Sequence, residues 1–144
     1  MRTPPFRTVV VENHEGFRRF LCLMLKEKTS CEVIAQLSDG LEAVKTAEQL
    51  QPDLIILDLG LPKLNGMEVA QRIRKLCPGT KILIVSQNSS SEIVQGALGM
   101  GAHGYLIKSD AANLALAVDA VLQNRQFMSP FLISRGLTLK SETD

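Results

Sequence analysis

The chain has 144 residues, which suits one domain around a single core. Its 45% hydrophobic and 22% charged residues are ordinary globular composition, and a net charge of +1 gives no broad electrostatic reason for this domain to bind nucleic acid. No apolar run approaches the ~20 residues needed to cross a bilayer, and the opening Met1-Arg-Thr-Pro-Pro lacks the apolar stretch of a secretion signal, so the expected location is the cytoplasm, with no membrane partner.

Apolar strand-like runs alternate with amphipathic stretches in five rounds. The first run is Thr8-Val-Val-Val11. Phe17, Phe20, Leu21 and Met24 follow at i, i+3, i+4 and i+7, giving one apolar stripe on a first helix. The second run is Cys31-Glu-Val-Ile-Ala35, the third Asp53-Leu-Ile-Ile-Leu57. Asn65-Gly66 then signals a helix start, with Met67, Ala70 and Ile73 recurring every three residues. The fourth run, Lys81-Ile-Leu-Ile-Val85, precedes a start signal at Ser89-Ser-Ser-Glu92. The fifth, Gly104-Tyr-Leu-Ile107, precedes Ser109-Asp110 and a helix carrying Leu114, Val118, Val121 and Leu122. The first, third and fourth runs are nearly continuous aliphatic, as in strands covered on both faces. The expected fold is α/β: a doubly wound five-stranded parallel sheet with helices on both faces. After about residue 125 the pattern breaks at Gln126-Phe-Met-Ser-Pro130, so residues 1–125 read as the domain and 126–144 as an extension or the start of a linker.

Open α/β sheets bind ligands at the carboxyl ends of their strands. Glu12 and Asn13 follow the first strand, Asp58 the third, Ser86 closes the fourth, and Lys108 follows the fifth. Any one of these fits a strand simply ending at the surface, but together they form a chemically compatible set. That set suits phosphoryl transfer to a carboxylate. A hard Mg²⁺ ion takes oxygen ligands such as Asp58, Glu12 and Asn13 can offer, and offsets charge on acceptor and phosphoryl oxygens. Lys108 supplies a point charge and Ser86 a hydroxyl donor to other phosphoryl oxygens. Aspartyl nucleophiles forming acyl phosphates are an established solution in such sites.

The chain resembles the receiver domain of bacterial two-component response regulators over roughly residues 6–125. Four segments carry the resemblance: Val9-Val-Val-Glu-Asn-His14, Pro52-Asp-Leu-Ile-Ile-Leu-Asp-Leu-Gly-Leu-Pro-Lys-Leu-Asn-Gly66, Ile84-Val-Ser86 and Gly101-Ala-His-Gly-Tyr-Leu-Ile-Lys108. Spacings of 45, 28 and 22 residues between Asn13, Asp58, Ser86 and Lys108, together with Lys108-Ser-Asp110, are similar to the LuxR/NarL-type subgroup. The resemblance implies a flavodoxin-like sheet of order 2-1-3-4-5. It implies a phosphoacceptor at Asp58, with a phosphohistidine of a sensor histidine kinase or phosphotransfer protein as donor. It implies Mg²⁺ held by Asp58, the Asn13 position and the Gly60 carbonyl, with Glu12 acting directly or through water. On phosphorylation Ser86 is drawn inward and the Tyr105 ring turns inward after it, changing an interaction surface. Beyond its own phosphorylation and slow dephosphorylation such a module is not an enzyme. Relatives of this subgroup pair as homodimers and precede a helix-turn-helix DNA-binding domain, for which residues 126–144 are too short. Phe127-Met-Ser-Pro130 is similar to the start of the linker in those longer regulators of transcription.

One departure stands out. Where most receivers carry two aspartates, this chain has Glu12 and Asn13, which lowers the anionic charge offered to the metal. With Asp58, Ser86 and Lys108 all present, the expectation is a working site weakened on its metal side. The alternative is a pseudo-receiver acting as a phosphate-independent interaction module. Other motifs carry less. Gly99-Met-Gly-Ala-His-Gly104 fits G-x-G-x-x-G but follows a helix and opens a strand, the reverse of a dinucleotide fingerprint, and reads as a helix end. Gly60 replaces the second aspartate of aspartyl-phosphate phosphatases. His14 reads as a helix cap, and Cys22, Cys31 and Cys77 as reduced thiols without metal-site spacing.

Overall fold

The alternation of apolar residues along the strands decides the architecture. In the computed structural model, which describes residues 3–138, β1 (Phe6–Val11), β2 (Cys31–Leu37), β3 (Leu54–Leu57), β4 (Lys81–Ser86) and β5 (Gly104–Ile107) lie parallel in one sheet. Val9, Val11, Ile55, Leu57, Ile82 and Ile84 point to one face. Val10, Leu54, Ile56, Leu83 and Val85 point to the other. Both sets are essentially without solvent exposure, so each face needs its own layer of helices. Helices α2 (Gly40–Leu50), α3 (Gly66–Leu76) and α4 (Ser91–Gly99) cover the first face, through Ala43, Ala47, Val69, Ile73, Val94 and Ala97. Helices α1 (Glu15–Lys28) and α5 (Leu114–Leu122) cover the second, through Leu21, Leu25, Leu114, Val118 and Val121.

The strand order is β2-β1-β3-β4-β5-β6, so the expected order 2-1-3-4-5 holds but the sheet has six strands rather than five. The extra strand, β6 (Phe127–Met128), pairs with β5 through Gly104↔Phe127 and Tyr105↔Met128. A short helix, α6 (Pro130–Ser134), follows, with Leu132 fully buried on the α2–α4 face. The segment read as an extension or the start of a linker thus adds an edge strand to the sheet. Its last residues, 139–144, lie outside the described residues, as do Met1 and Arg2.

Three of the expected helix starts hold in detail. Asn65 caps α3 by accepting from Glu68 N, and Ser90 caps α4 by accepting from Ile93 N. His14 caps α1 through Nδ1, which accepts from Phe17 N at 3.1 Å. The fifth helix differs: a 3-10 turn over Lys108–Asn113 separates β5 from α5, and the expected cap at Ser109-Asp110 falls inside it. The first helix also departs from its expected stripe, because Phe20 is 38% exposed while Leu25, one turn beyond Leu21, is buried. In the G-x-G-x-x-G run, Gly101 adopts φ +105° where the chain leaves α4, a left-handed conformation that favours glycine. Among the described residues, no helix is long and apolar enough to cross a membrane.

Candidate functional site

Strand register brings the site together. Val11 pairs with Leu57, so the residues that follow them, Glu12 and Asp58, emerge side by side. Adjacent strands lie about 4.8 Å apart. Ser86 pairs with Ile107, which puts Ser86 and Lys108 on the same edge. Asp58 N donates to Val11 O at 3.1 Å and fixes where its side chain starts. The loop after Asp58 is equally constrained. A Cβ on Gly66 would lie 2.3 Å from the Asp58 carbonyl oxygen and 2.5 Å from Leu59 Cα. Only glycine lets α3 begin this close to the end of β3.

These residues line one open cleft of about 610 Å³, together with Asn13, His14, Gly60 and Asn88. Glu12 is 1% exposed and Asp58 8%. Between them stands the Lys108 ammonium, 2.9 Å from Glu12 Oε1 and 3.6 Å from Asp58 Oδ2. The lysine therefore leans to Glu12, whose longer stem reaches it first. Glu12 Oε2 accepts from His14 N at 2.9 Å, whereas Oε1 is buried without a hydrogen bond of good geometry and has the lysine as its counter-charge. Two carboxylates facing one ammonium leave a surplus negative charge in a poorly solvated place, which is attractive to a further cation.

The donor set fits a hard divalent ion. Glu12 and Asp58 provide anionic oxygens, Asn13 stands exposed on the same cleft, and Gly60 lies close enough that a Cβ there would be 3.8 Å from Asp58 Oδ2. Among the described residues no three of His, Cys, Asp and Glu gather into a metal-binding cluster.

Ser86 is 4% exposed, and its Oγ accepts from Asn88 N at 3.1 Å. Tyr105 is fully buried and donates its hydroxyl to Asn88 O at 2.8 Å. Its ring already lies inward in this structure, where the expectation had it turning inward on phosphorylation. Burial pushes the Tyr105 hydroxyl pKa up; a hydrogen bond with Ser86 acts the other way, and the charge on Asp58 adds to the rise. Asn88, held at both its N–H and its carbonyl, escaped the sequence reading because backbone contacts leave no residue-type signal. Phe17 escaped it as well: it read as a core residue, but Lys108 Nζ lies 4.8 Å from its ring centroid.

Comparison with known proteins agrees with this geometry. Residues 8–119 match the response regulator receiver domain family. The chain belongs to that family. It is 34% identical over 123 residues to the transcriptional regulatory protein DegU of Brevibacillus brevis, covering 85% of this chain and 52% of DegU. It is 29% identical over 136 residues to the response regulator GacA of Pseudomonas viridiflava, covering 94% of this chain and 63% of GacA. Among solved structures, a LuxR-family two-component response regulator from Aurantimonas superposes with a TM-score of 0.80 at 32% identity, over 90% of this chain and 93% of that one. The signal receiver domain of NarL from Mycobacterium tuberculosis gives 0.80 at 29% identity, over 85% and 100%. The chain is a two-component receiver domain related to transcription regulators, and it spans about half the length of curated relatives such as DegU.

Proposed function

We propose that Asp58 accepts a phosphoryl group from a phosphohistidine of a sensor histidine kinase or phosphotransfer protein. An Asp58 carboxylate oxygen attacks phosphorus, the P–N bond of the donor breaks, and the imidazole leaves with the bonding pair. The observation that carries this reading is the Lys108 ammonium standing within 3.6 Å of an Asp58 oxygen at the open end of the sheet. Lys108 binds one transferring oxygen, and the Ser86 hydroxyl donates to another. Asp58, Asn13 and the Gly60 carbonyl, with Glu12 directly or through water, would hold Mg²⁺, which when bound would offset negative charge on the acceptor and the phosphoryl oxygens. Beyond its own phosphorylation and slow dephosphorylation the domain has no diffusible substrate.

The output is a switched surface. A new charge on Asp58 draws on Ser86 and Lys108, and the Ser86–Asn88–Tyr105 contacts pass the change to the start of α4 and to β5. In a longer protein that surface controls a DNA-binding domain, as the names of the relatives suggest, and a homodimer is one form the switch takes. Incubation with Mg²⁺ and acetyl phosphate tests the chemistry. A mass gain of one phosphoryl group (about 80 Da) in wild type, and none in Asp58→Ala, is the expected result. No gain at any Mg²⁺ concentration replaces this reading with a phosphate-independent interaction module, which the amide at Asn13 would then explain.

A further inference from the structure

We propose that Phe17 is a positioning residue for Lys108, holding the ammonium against its ring so that it stays over Asp58 as it exchanges partners. This rests on the phosphoryl-transfer reading above. Lys108 reaches the site on four rotatable bonds, and an ammonium so mounted has many places to go. Three groups confine it: Glu12 Oε1 at 2.9 Å, Asp58 Oδ2 at 3.6 Å and the Phe17 ring at 4.8 Å from its centroid. The lysine side chain is 15% exposed, so little water competes for the face that the ring covers. A ring's negative face attracts a cation most when water is excluded.

Phe17 is itself pinned to the acidic end of the site. Its N–H donates to His14 Nδ1 at 3.1 Å, and His14 N donates to Glu12 Oε2 at 2.9 Å. Arg18, the next residue, donates from Nη1 to Glu12 O at 2.8 Å. The contacts close a ring: Glu12 to His14, His14 to Phe17, Phe17 to Lys108, Lys108 back to Glu12. When a phosphoryl group arrives, Lys108 must give up Glu12 for a phosphoryl oxygen. Phe17 is the wall it keeps through that exchange, since a ring face stabilises a cation without demanding a fixed hydrogen-bond direction. An aliphatic residue would fill the volume but offer no such field.

The test varies the ring face separately from its bulk. Phe17→Leu should lower the acetyl phosphate phosphorylation rate by roughly three- to thirty-fold, the range expected for a well-desolvated cation–ring contact. Phe17→Tyr should rescue it. Pentafluorophenylalanine at position 17 keeps the shape and reverses the face, so it should behave like leucine; it also secures the answer if the leucine variant does not fold. Independently, the Lys108 ε-methylene protons, observed by NMR without any phosphodonor, should be shifted upfield by the ring in wild type and Phe17→Tyr and move downfield in Phe17→Leu. Unchanged rates in the leucine and fluorinated variants, or unshifted Lys108 protons in wild type, overturn the inference while leaving the acceptor role of Asp58 intact. A wild type that takes no phosphoryl group removes the acceptor role first, and any part for Phe17 in transfer with it.

Discussion

Glu12 and Asn13 set the balance of the site. Glu12 is buried, reaches Lys108 and keeps one oxygen without a hydrogen bond, whereas Asn13 is exposed and neutral. The charge available to a divalent ion therefore comes from Asp58 and from a glutamate already engaged by a lysine. Placing a carboxylate at Asn13 adds an anion at the solvent edge, where each unit-charge contact is worth about 1 kcal/mol and the divalent charge doubles it. Asn13→Asp is expected to tighten Mg²⁺ binding by roughly thirtyfold, read by calorimetric titration of the unphosphorylated protein. Equal affinity in the two proteins would show that Asn13 lies outside the metal's ligand shell. The residue types after each strand were legible in the sequence because the chemistry is carried by side chains. The preference of Lys108 for Glu12 over Asp58 was not, since it depends on a difference of 2.9 against 3.6 Å.

At the scale of elements, the C-terminal segment is where sequence and structure part. β6 has only Phe127 and Met128, too short for any alternation to register. What seats it is a side chain nineteen residues before Ser129. Asp110, in the 3-10 turn that begins at Lys108, accepts a short hydrogen bond from Ser129 Oγ and another at 3.1 Å from Phe131 N at the start of α6. Ser129 N donates to Tyr105 O at 2.9 Å, so the segment is fastened to the strand and turn that carry Tyr105 and Lys108. Ser129 is fully buried, and without Asp110 its hydroxyl has lost its partner. Asp110→Ala should destabilise the domain by about 1–3 kcal/mol, measured by urea unfolding, and should speed amide exchange at Ser129 and Leu132, whose N–H groups donate to Tyr105 O and Ser129 O, more than in β1 or β3. Asp110→Asn, which keeps one acceptor oxygen, should recover part of the loss. Unchanged exchange at Ser129 in the alanine variant would show that β-pairing alone holds the segment.

For the whole molecule, the layer order was legible because the sheet is covered on both faces. Runs such as Leu54–Leu57 cannot face water on either side, and the helices between them must supply both covers. The same double cover buries ionisable groups that have no charged role. Tyr105, the chain's one tyrosine, is fully enclosed, and burial is the leading cause that raises its pKa above the ordinary 10.0. Burial likewise pushes the thiols of Cys22 and Cys77 above 9.0. The sign of the linkage follows. Once pH passes these ordinary values, the unfolded chain has released protons that the folded one retains, so rising pH favours unfolding. These groups contribute their full stability below about pH 9 and lose it progressively as pH climbs through their folded values. Tyrosinate absorbance should therefore stay low past pH 10.0 while the fold persists and rise together with loss of helical circular dichroism. Tyr105→Phe should flatten the alkaline fall of the urea midpoint, although it forfeits the hydrogen bond to Asn88 O at neutral pH. Ionisation of Tyr105 at its ordinary pKa with the helices intact would mean that the β5 strand opens to water without unfolding, and that the enclosure at Tyr105 is looser than the packing around it.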